Sequence, residues 1–176
     1  AAQNAGGTVI DMTGVATFTL DRESGVVTAE AGASLDALMR VLVPRGFFVP
    51  VTPGTRHVTV GGAIAADIHG KNHHVAGSWC QHVRSMRLAL PSGEQVEITP
   101  TSDPELFWAT AGGMGLTGVV LEASFECPRI ETSRLLVDTE RTPDLDTLMA
   151  RMESGDARYE YSVAWIDLLA SGRSLG

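Results

Sequence analysis

Residues 58–74 read VTVGGAIAADIHGKNHH, and this run constrains the fold more than any other feature of the chain. Two adjacent glycines and three alanines leave the backbone without a wall of side chains, so it can approach another group closely. We predict one or two helical turns here, with the amides between Thr59 and Gly62 free to bind a phosphate. Reactive side chains follow at once, from His69 through Lys71 to His74.

The charge distribution points to the same segment. The net charge of −8 argues against general nucleic-acid binding. Residues 56–87 nevertheless contain four cationic side chains, a single acidic residue (Asp67) and all the histidines. The four cations are Arg56, Lys71, Arg84 and Arg87. This distribution indicates a site for an anionic ligand, and the alternative is a basic loop facing solvent.

The periodicity of the first half predicts short strands and a helix. Apolar residues at helical spacing follow the N-cap residue Ser34, which predicts a helix over 35–42. Pro53-Gly54 is typical of a type II turn with a positive φ at Gly54. Strands are predicted at Thr8–Met12, Ala16–Leu20, Val26–Glu30 and Phe47–Val51.

The second half predicts a hairpin over residues 86–98, a helix from Asp103 to Trp108 and a strand at Val119–Cys127. Glycines at 113, 115 and 118 spell GxGxxG, but a helix precedes them and a strand follows, which is the reverse of the order in a dinucleotide-binding motif. We interpret them as a turn whose bare backbone contacts a ligand. Both cysteines, Cys80 and Cys127, are predicted to be inert thiols.

The C-terminal part predicts a helix from Pro143 to Met152, capped by Thr142, and then a strand at Arg158–Asp167. Strands punctuated by helices make the chain an α+β protein. The histidines leave two further readings open: a metal site on His69, His73 and His74, which lacks further ligands nearby, or surface residues without a role.

The segment from Pro53 to Gly70, together with Gly112–Gly118, resembles the FAD-binding domain of the vanillyl-alcohol-oxidase (PCMH-type) flavoenzymes. The resemblance runs along nearly the whole chain. It implies two small α/β subdomains that form the FAD-binding domain over residues 1–130. The start of a substrate-binding domain is expected over 131–176.

The resemblance also implies roles for individual residues. Non-covalent FAD is expected to contact residues of both glycine clusters, and His69 and Lys71 are expected to border the flavin and the substrate. A general base is not assigned. The expected FAD contacts are Gly54, Thr55, Thr59, Val60, Gly61, Gly62, Ala66, Asp67, Ile68, His69, Gly112, Gly113, Gly115 and Val120. The expected substrate pocket comprises Gly70, Lys71 and Trp165.

Within that family, the strings HGKNHH, HVRSM, ELFWAT and ARYEYSVAW resemble an oxidase of polyprenyl-phosphate sugars. This implies oxidation of a ribose 2′-hydroxyl to a ketone, as one subunit of an epimerase that makes the arabinose donor for cell-wall arabinan. An NADH-dependent reductase would be its partner. The alternatives are an aldonolactone or alditol oxidase with the same flavin domain, and a non-catalytic ligand- or metal-binding module.

The family's glycine-rich upstream phosphate loop does not occur in the sequence. We therefore expect these 176 residues alone to hold FAD weakly or not at all. No apolar run is long enough for a membrane span. Peripheral membrane association is expected, on the cytoplasmic or the periplasmic side of the cell envelope.

Overall fold

The computed structural model describes residues 6–167 and 169. Its centre is a five-stranded antiparallel sheet. The strands are β1 (Phe18–Leu20), β2 (Val26–Glu30), β3 (Val83–Ala89), β4 (Gln95–Ile98) and β5 (Val119–Glu126). Their order in the sheet is β1-β2-β5-β3-β4, so the long strand β5 lies between a pair from the N-terminal region and a hairpin from the middle of the chain.

Helices precede, follow or connect these strands, so the α+β class is confirmed. The α-helices are α1 (Leu35–Leu42), α2 (Val60–Ala65), α3 (His73–Ala76), α4 (Pro104–Thr110) and α5 (Leu145–Gly155). Two 3₁₀ turns accompany them: Val43–Arg45 continues α1, and Trp79–His82 leads into β3.

Helix α1 forms where the apolar spacing predicts it. The Ser34 hydroxyl caps it by accepting a hydrogen bond from the Ala37 amide at 3.1 Å. Its leucines, Leu35, Leu38 and Leu42, are fully buried. They join a continuous core that also contains Ile64 of α2 and residues of the sheet, so α1, α2 and the sheet share one apolar interior.

A β-bulge changes the predicted facing of β5. Phe125 and Ala123 face the core as expected, opposite Val27 and Ala29 of β2. The pairing with β3 then passes from Glu122 to Val120 and skips one residue, which inverts the alternation of side chains. Val120, not its neighbours, is therefore the buried residue in the first half of the strand.

Three predicted strands are wrong. Thr8–Met12 forms no strand, and Phe47–Val51 contributes only a single bridge, from Phe47 to Arg129. Arg158–Asp167 begins in a turn and adopts no strand pairing among the described residues. An alternating pattern predicts an extended backbone, but a strand also needs a partner with free edge groups.

Two local predictions also need correction. Helix α5 is capped by Asp144, whose carboxylate accepts from the Thr147 amide at 2.8 Å, rather than by Thr142. Gly54 is not among the glycines with positive φ, so the type II turn is wrong. Within the described part of the chain, no helix combines the length and the apolar character needed to cross a bilayer.

Candidate cofactor and substrate site

Helix α2 is the element that organises the site. The glycine-rich run does form a helix, as predicted, and the Thr59 hydroxyl caps it by accepting from the Gly62 amide at 3.2 Å. Gly61 packs closely against Ala31, since a Cβ at position 61 would lie 3.0 Å from the Ala31 Cβ, tighter than most Cβ contacts. The first function of these glycines is therefore to bring α2 against β2 and the residues that follow it.

The amides of this helix are engaged within the protein, which the sequence did not predict. Val60 N donates to Ala33 O and Gly61 N to Ala31 O, both at 2.8 Å. The Gly62 amide is used by the Thr59 cap. The hypothesis that the amides between Thr59 and Gly62 are free for a phosphate is therefore not supported by the hydrogen bonds of the protein.

The second glycine cluster lies against the end of α2. Gly112 N donates to Ile64 O at 2.9 Å, and Met114 N donates to Ala65 O at 2.8 Å. Helix α4 precedes this loop and β5 follows it, so the dinucleotide-motif reading is excluded by the order of elements. The two glycine clusters, 50 residues apart in the sequence, thus form one surface.

Four exposed positions of that surface carry no side chain larger than a methyl group, beside the exposed apolar side chains of Met114 and Leu116. Gly62, Ala66, Gly112 and Gly115 are exposed, and a Cβ at Gly115 would meet nothing within 4 Å. We call these four residues the bare strip. A flat aromatic ring system with a polar edge could lie directly on such a backbone surface, so its shape fits a flavin nucleotide.

Asp67 turns the chain at the end of α2. Its φ is +38°, in the left-handed region that aspartate tolerates better than most residues. Its Oδ1 accepts from the Cys80 amide at 2.8 Å, so this carboxylate faces the protein. Burial raises the pKa of the Cys80 thiol, and the nearby Asp67 carboxylate raises it further. Cys80 is therefore a neutral thiol, as predicted.

The remaining predicted cofactor residues divide between surface and interior. Thr55 lies in an exposed loop, where its hydroxyl accepts from His57 N at 3.3 Å. Ile68 packs against the core, and its carbonyl accepts from Trp79 N at 2.9 Å. Gly113 closes the end of α4 by donating to Thr110 O. Val120, as noted above, is in the sheet interior.

The histidines follow the strip in the chain. His69 is exposed, and its ring meets that of His73 edge-on, with centroids 5.5 Å apart. His74 points elsewhere, toward the carbonyl of Tyr159 at 2.7 Å. No cluster of three or more metal-ligating side chains is found among residues 6–167 and 169.

Lys71 lies where residues 70–71 pack directly against the backbone of residues 52–53. A Cβ at Gly70 would lie 2.1 Å from Thr52 O, so only glycine permits this approach. Lys71 N donates to Thr52 O at 3.1 Å, and its Nζ reaches Pro53 O at 3.5 Å. On the other side, Lys71 O accepts from Ser162 N at 2.9 Å.

A cavity of about 430 Å³ opens beside Lys71. Its wall is mostly apolar, with cationic and acidic groups and the ring of Tyr161 among the remainder. Burial raises the pKa of Tyr161 to about 12, so its hydroxyl stays protonated and can donate a hydrogen bond. The lining residues are Val43, Phe48, Thr52, Lys71, Pro128, Arg129, Ile130, Glu131, Thr132, Ser133, Arg134, Leu135, Glu160 and Tyr161.

Sequence reasoning missed three of the residues around this cavity. Thr52 and Tyr161 were given no role, and neither was Asn72, which contacts Thr52 from the interior. Thr52 and Asn72 belong to no periodic pattern, and Tyr161 lies in the predicted strand Arg158–Asp167, whose pattern gave it no role in a site. Trp165, assigned to the substrate pocket, is 85% exposed and does not line this cavity.

Most of the cationic side chains in residues 56–87 form ion pairs with carboxylates from elsewhere in the chain. Arg56 pairs with Asp36 at 3.1 Å, on the α1 side. Arg84 and Arg87 reach acidic residues of β5 at 2.9 and 3.7 Å. Lys71 differs from these arginines because the partner of its ammonium is a carbonyl. The local charge excess therefore reduces to this one side chain.

The family model "FAD binding domain" matches residues 1–99, more than half of the chain. The chain belongs to this FAD-binding family, and FAD is its cofactor. It is 48% identical to decaprenylphosphoryl-beta-D-ribose oxidase of Mycolicibacterium smegmatis over 178 residues, which covers 99% of this chain and 39% of that protein. The chain therefore spans well under half the length of this relative.

More distant relatives share the flavin domain. L-galactono-1,4-lactone dehydrogenase 2 of Oryza sativa is 29% identical over 120 residues, 68% of this chain and 20% of the rice protein. Among solved structures, the xylooligosaccharide oxidase of Myceliophthora thermophila superposes with a TM-score of 0.59 at 25% identity. That superposition covers 68% of this chain and 25% of the oxidase, and it supports the fold assigned from the sequence.

Proposed function

We propose that this chain is the flavin-binding part of an oxidase that converts the 2′-hydroxyl of decaprenylphosphoryl-β-D-ribose to a ketone. The observation that carries the proposal is the position of the HGK segment. His69 follows the bare strip at the end of α2, and Lys71, two residues later, lies on the wall of the cavity. A cofactor on the strip and a substrate in the cavity would therefore meet at this segment.

The similarity to the mycobacterial oxidase supports this choice of substrate, since it extends over 99% of the chain. The cavity is consistent with it: apolar residues such as Phe48 and Leu135 suit a prenyl chain, and Lys71 suits a phosphate or a sugar hydroxyl. The reaction removes a hydride and a proton from the alcohol, and bound FAD supplies the hydride acceptor.

The residues of this chain have three tasks in that reaction. The bare strip (Gly62, Ala66, Gly112, Gly115) gives the flavin a surface at van der Waals distance from the backbone. Lys71 orients the substrate by charge, and His69 offers a hydrogen bond at the reacting end. We propose further that the cofactor is non-covalent, that a reductase subunit completes the epimerisation toward the arabinan donor, and that the oxidase contacts the membrane peripherally.

The second candidate function is oxidation of an aldonolactone, which the 29% identity to the rice dehydrogenase favours. The two candidates make different predictions for the flavin of the full-length protein. Under anaerobic conditions, decaprenylphosphoryl-β-D-ribose should bleach the oxidised flavin absorbance in one turnover, whereas L-galactono-1,4-lactone should not. Bleaching by the lactone alone would overturn the proposal in favour of the second function.

A single substitution tests whether the charge of Lys71 orients the substrate. Lys71→Met keeps the length of the stem and removes the charge, so we expect flavin content to stay the same and the rate of bleaching to fall about a hundredfold.

Metal analysis of the purified protein tests the alternative that the chain is a non-catalytic metal-binding module. Stoichiometric zinc in a purified protein without flavin would rule out both oxidase functions.

A further inference from the structure

Asn72 is one of two polar residues that are buried in the described part of the chain, the other being Thr110. Only 2% of its surface is exposed, and its amide is satisfied on both sides. Nδ2 donates to Pro50 O at 2.8 Å, and Oδ1 accepts from the amide and the hydroxyl of Thr52, each at 3.3 Å. A buried amide with three partners fixes two segments relative to each other.

Asn72 and Lys71 hold the same residue from two directions. The side chain of Asn72 binds the amide and hydroxyl of Thr52, while Lys71 N binds the Thr52 carbonyl at 3.1 Å. The Lys71 ammonium then reaches the carbonyl of the next residue, Pro53, at 3.5 Å. The lysine side chain is thus laid along a backbone segment that Asn72 fixes in place.

We propose that Asn72 is a positioning residue that holds the Lys71 ammonium on the wall of the cavity. The proposal rests on the function proposed above only in assigning Lys71 to the substrate. A long lysine stem has many rotamers, and ordering it in advance removes an entropic cost from substrate binding. Without the amide of Asn72, the segment Pro50–Pro53 loses three of its hydrogen bonds, and Lys71 loses a fixed surface along which to lie.

The chain contains a single lysine, which makes the proposal measurable without flavin or substrate. Acetylation of the native chain by a water-soluble acyl ester, followed by mass spectrometry of the Lys71 peptide, reports how freely this amine moves and reacts. We expect Asn72→Ala to raise the acetylation rate of Lys71 about tenfold, the factor expected from the loss of one buried polar anchor. An unchanged rate in a folded variant would overturn the proposal.

Thr110→Val is the matched control, because Thr110 is equally buried but lies on α4 and binds Leu106 O and the Thr117 hydroxyl. It should lower the melting temperature without changing the Lys71 rate. An equal rise in both variants would show a general loss of stability and would contradict the proposal. If Asn72→Ala does not fold, Thr52→Val removes only the hydroxyl contact, and we expect a rise of about threefold.

A double-mutant cycle on the flavin-loaded full-length protein separates positioning from stability. With decaprenylphosphoryl-β-D-ribose as substrate, Asn72→Ala should raise KM about tenfold in the Lys71 background and less than about twofold when Lys71 is already methionine. The same factor in both backgrounds would overturn the proposal. If this substrate is not oxidised at all while the acetylation result holds, the proposed function fails and the link between Asn72 and Lys71 stands.

Discussion

Gly70 shows at the scale of one residue how close packing, rather than ligand contact, can require glycine. A Cβ at this position would lie 2.1 Å from Thr52 O and 2.9 Å from Thr52 N. We therefore expect Gly70→Ala to destabilise the protein by about 1–3 kcal/mol, because one of the two backbones must move. Denaturant unfolding measures this directly. Gly14→Ala, where a Cβ meets nothing within 4 Å, should change stability by less than about 0.5 kcal/mol.

Cys127 supports a prediction about reactivity and pH. Burial raises the pKa of its thiol from 9.0 to about 12, and burial also raises the pKa of the Cys80 thiol. Neither cysteine should react with a thiol reagent such as DTNB at pH 8 while the chain is folded, and both should react after denaturation. Rapid labelling of the native protein would contradict the burial described for both residues.

The sign of the pH effect on stability follows from the same shift. In the folded state the thiol of Cys127 stays neutral, whereas in the unfolded chain the same thiol ionises near pH 9.0. The contribution of this thiol is therefore complete below pH 9 and is lost as the pH rises from 9 toward 12. We expect the free energy of unfolding to decrease over that range. A Cys127→Ser variant should show a smaller decrease.

Residue types alone did not predict which groups the glycines of the candidate site contact. Glycine at 61 and 70 was expected to face a ligand, but these glycines face Ala31 and Thr52. The sequence could not show this, because the partner of a glycine is set by tertiary packing and leaves no local pattern. Asn72 is the opposite case: a polar residue within HGKNHH is indistinguishable by sequence from its exposed neighbours until its burial is known.

At the scale of one element, the N-terminal cap of helix α2 gives a prediction about stability. Thr59 was expected to contact FAD, and in the structure its hydroxyl caps the helix through Gly62 N at 3.2 Å. Thr59→Ala should therefore cost about 1 kcal/mol of stability, whereas Thr59→Ser should retain most of it. Thermal unfolding of the chain without FAD isolates this role. Equal stability of both variants and the parent would mean that the cap contributes nothing.

Elements with strong periodicity were predictable, and those that depend on partners were not. The apolar spacing after Ser34 placed α1 correctly, since an amphipathic helix satisfies its own hydrogen bonds. Arg158–Asp167 has a suitable composition, but its only described backbone bond to the site is Ser162 N to Lys71 O. The facing of β5 failed at its bulge for a related reason, because an extra residue is defined only against the neighbouring strand.

At the scale of the whole molecule, the arrangement of donors limits cofactor affinity. The family match fixes FAD as the cofactor. The surface offered by this chain is the bare strip, while the amides of Val60, Gly61 and Gly62 are already bonded to Ala33, Ala31 and Thr59. Shape complementarity without charge-assisted hydrogen bonds leaves the diphosphate of FAD poorly compensated for lost hydration.

We therefore expect residues 1–176 alone to bind FAD with a Kd above about 10 µM, equivalent to less than about 7 kcal/mol of binding free energy. Quenching of FAD fluorescence during titration with the chain measures this affinity. Gly62→Ala adds a methyl group at the exposed end of the strip, 3.2 Å from the Thr59 hydroxyl oxygen, which must shift by a few tenths of an ångström. The variant should therefore weaken any FAD binding that does occur, at a small cost in stability from the strained cap. Stoichiometric yellow protein with submicromolar affinity would show that these residues supply the diphosphate contacts after all, by a rearrangement of the α2 amides.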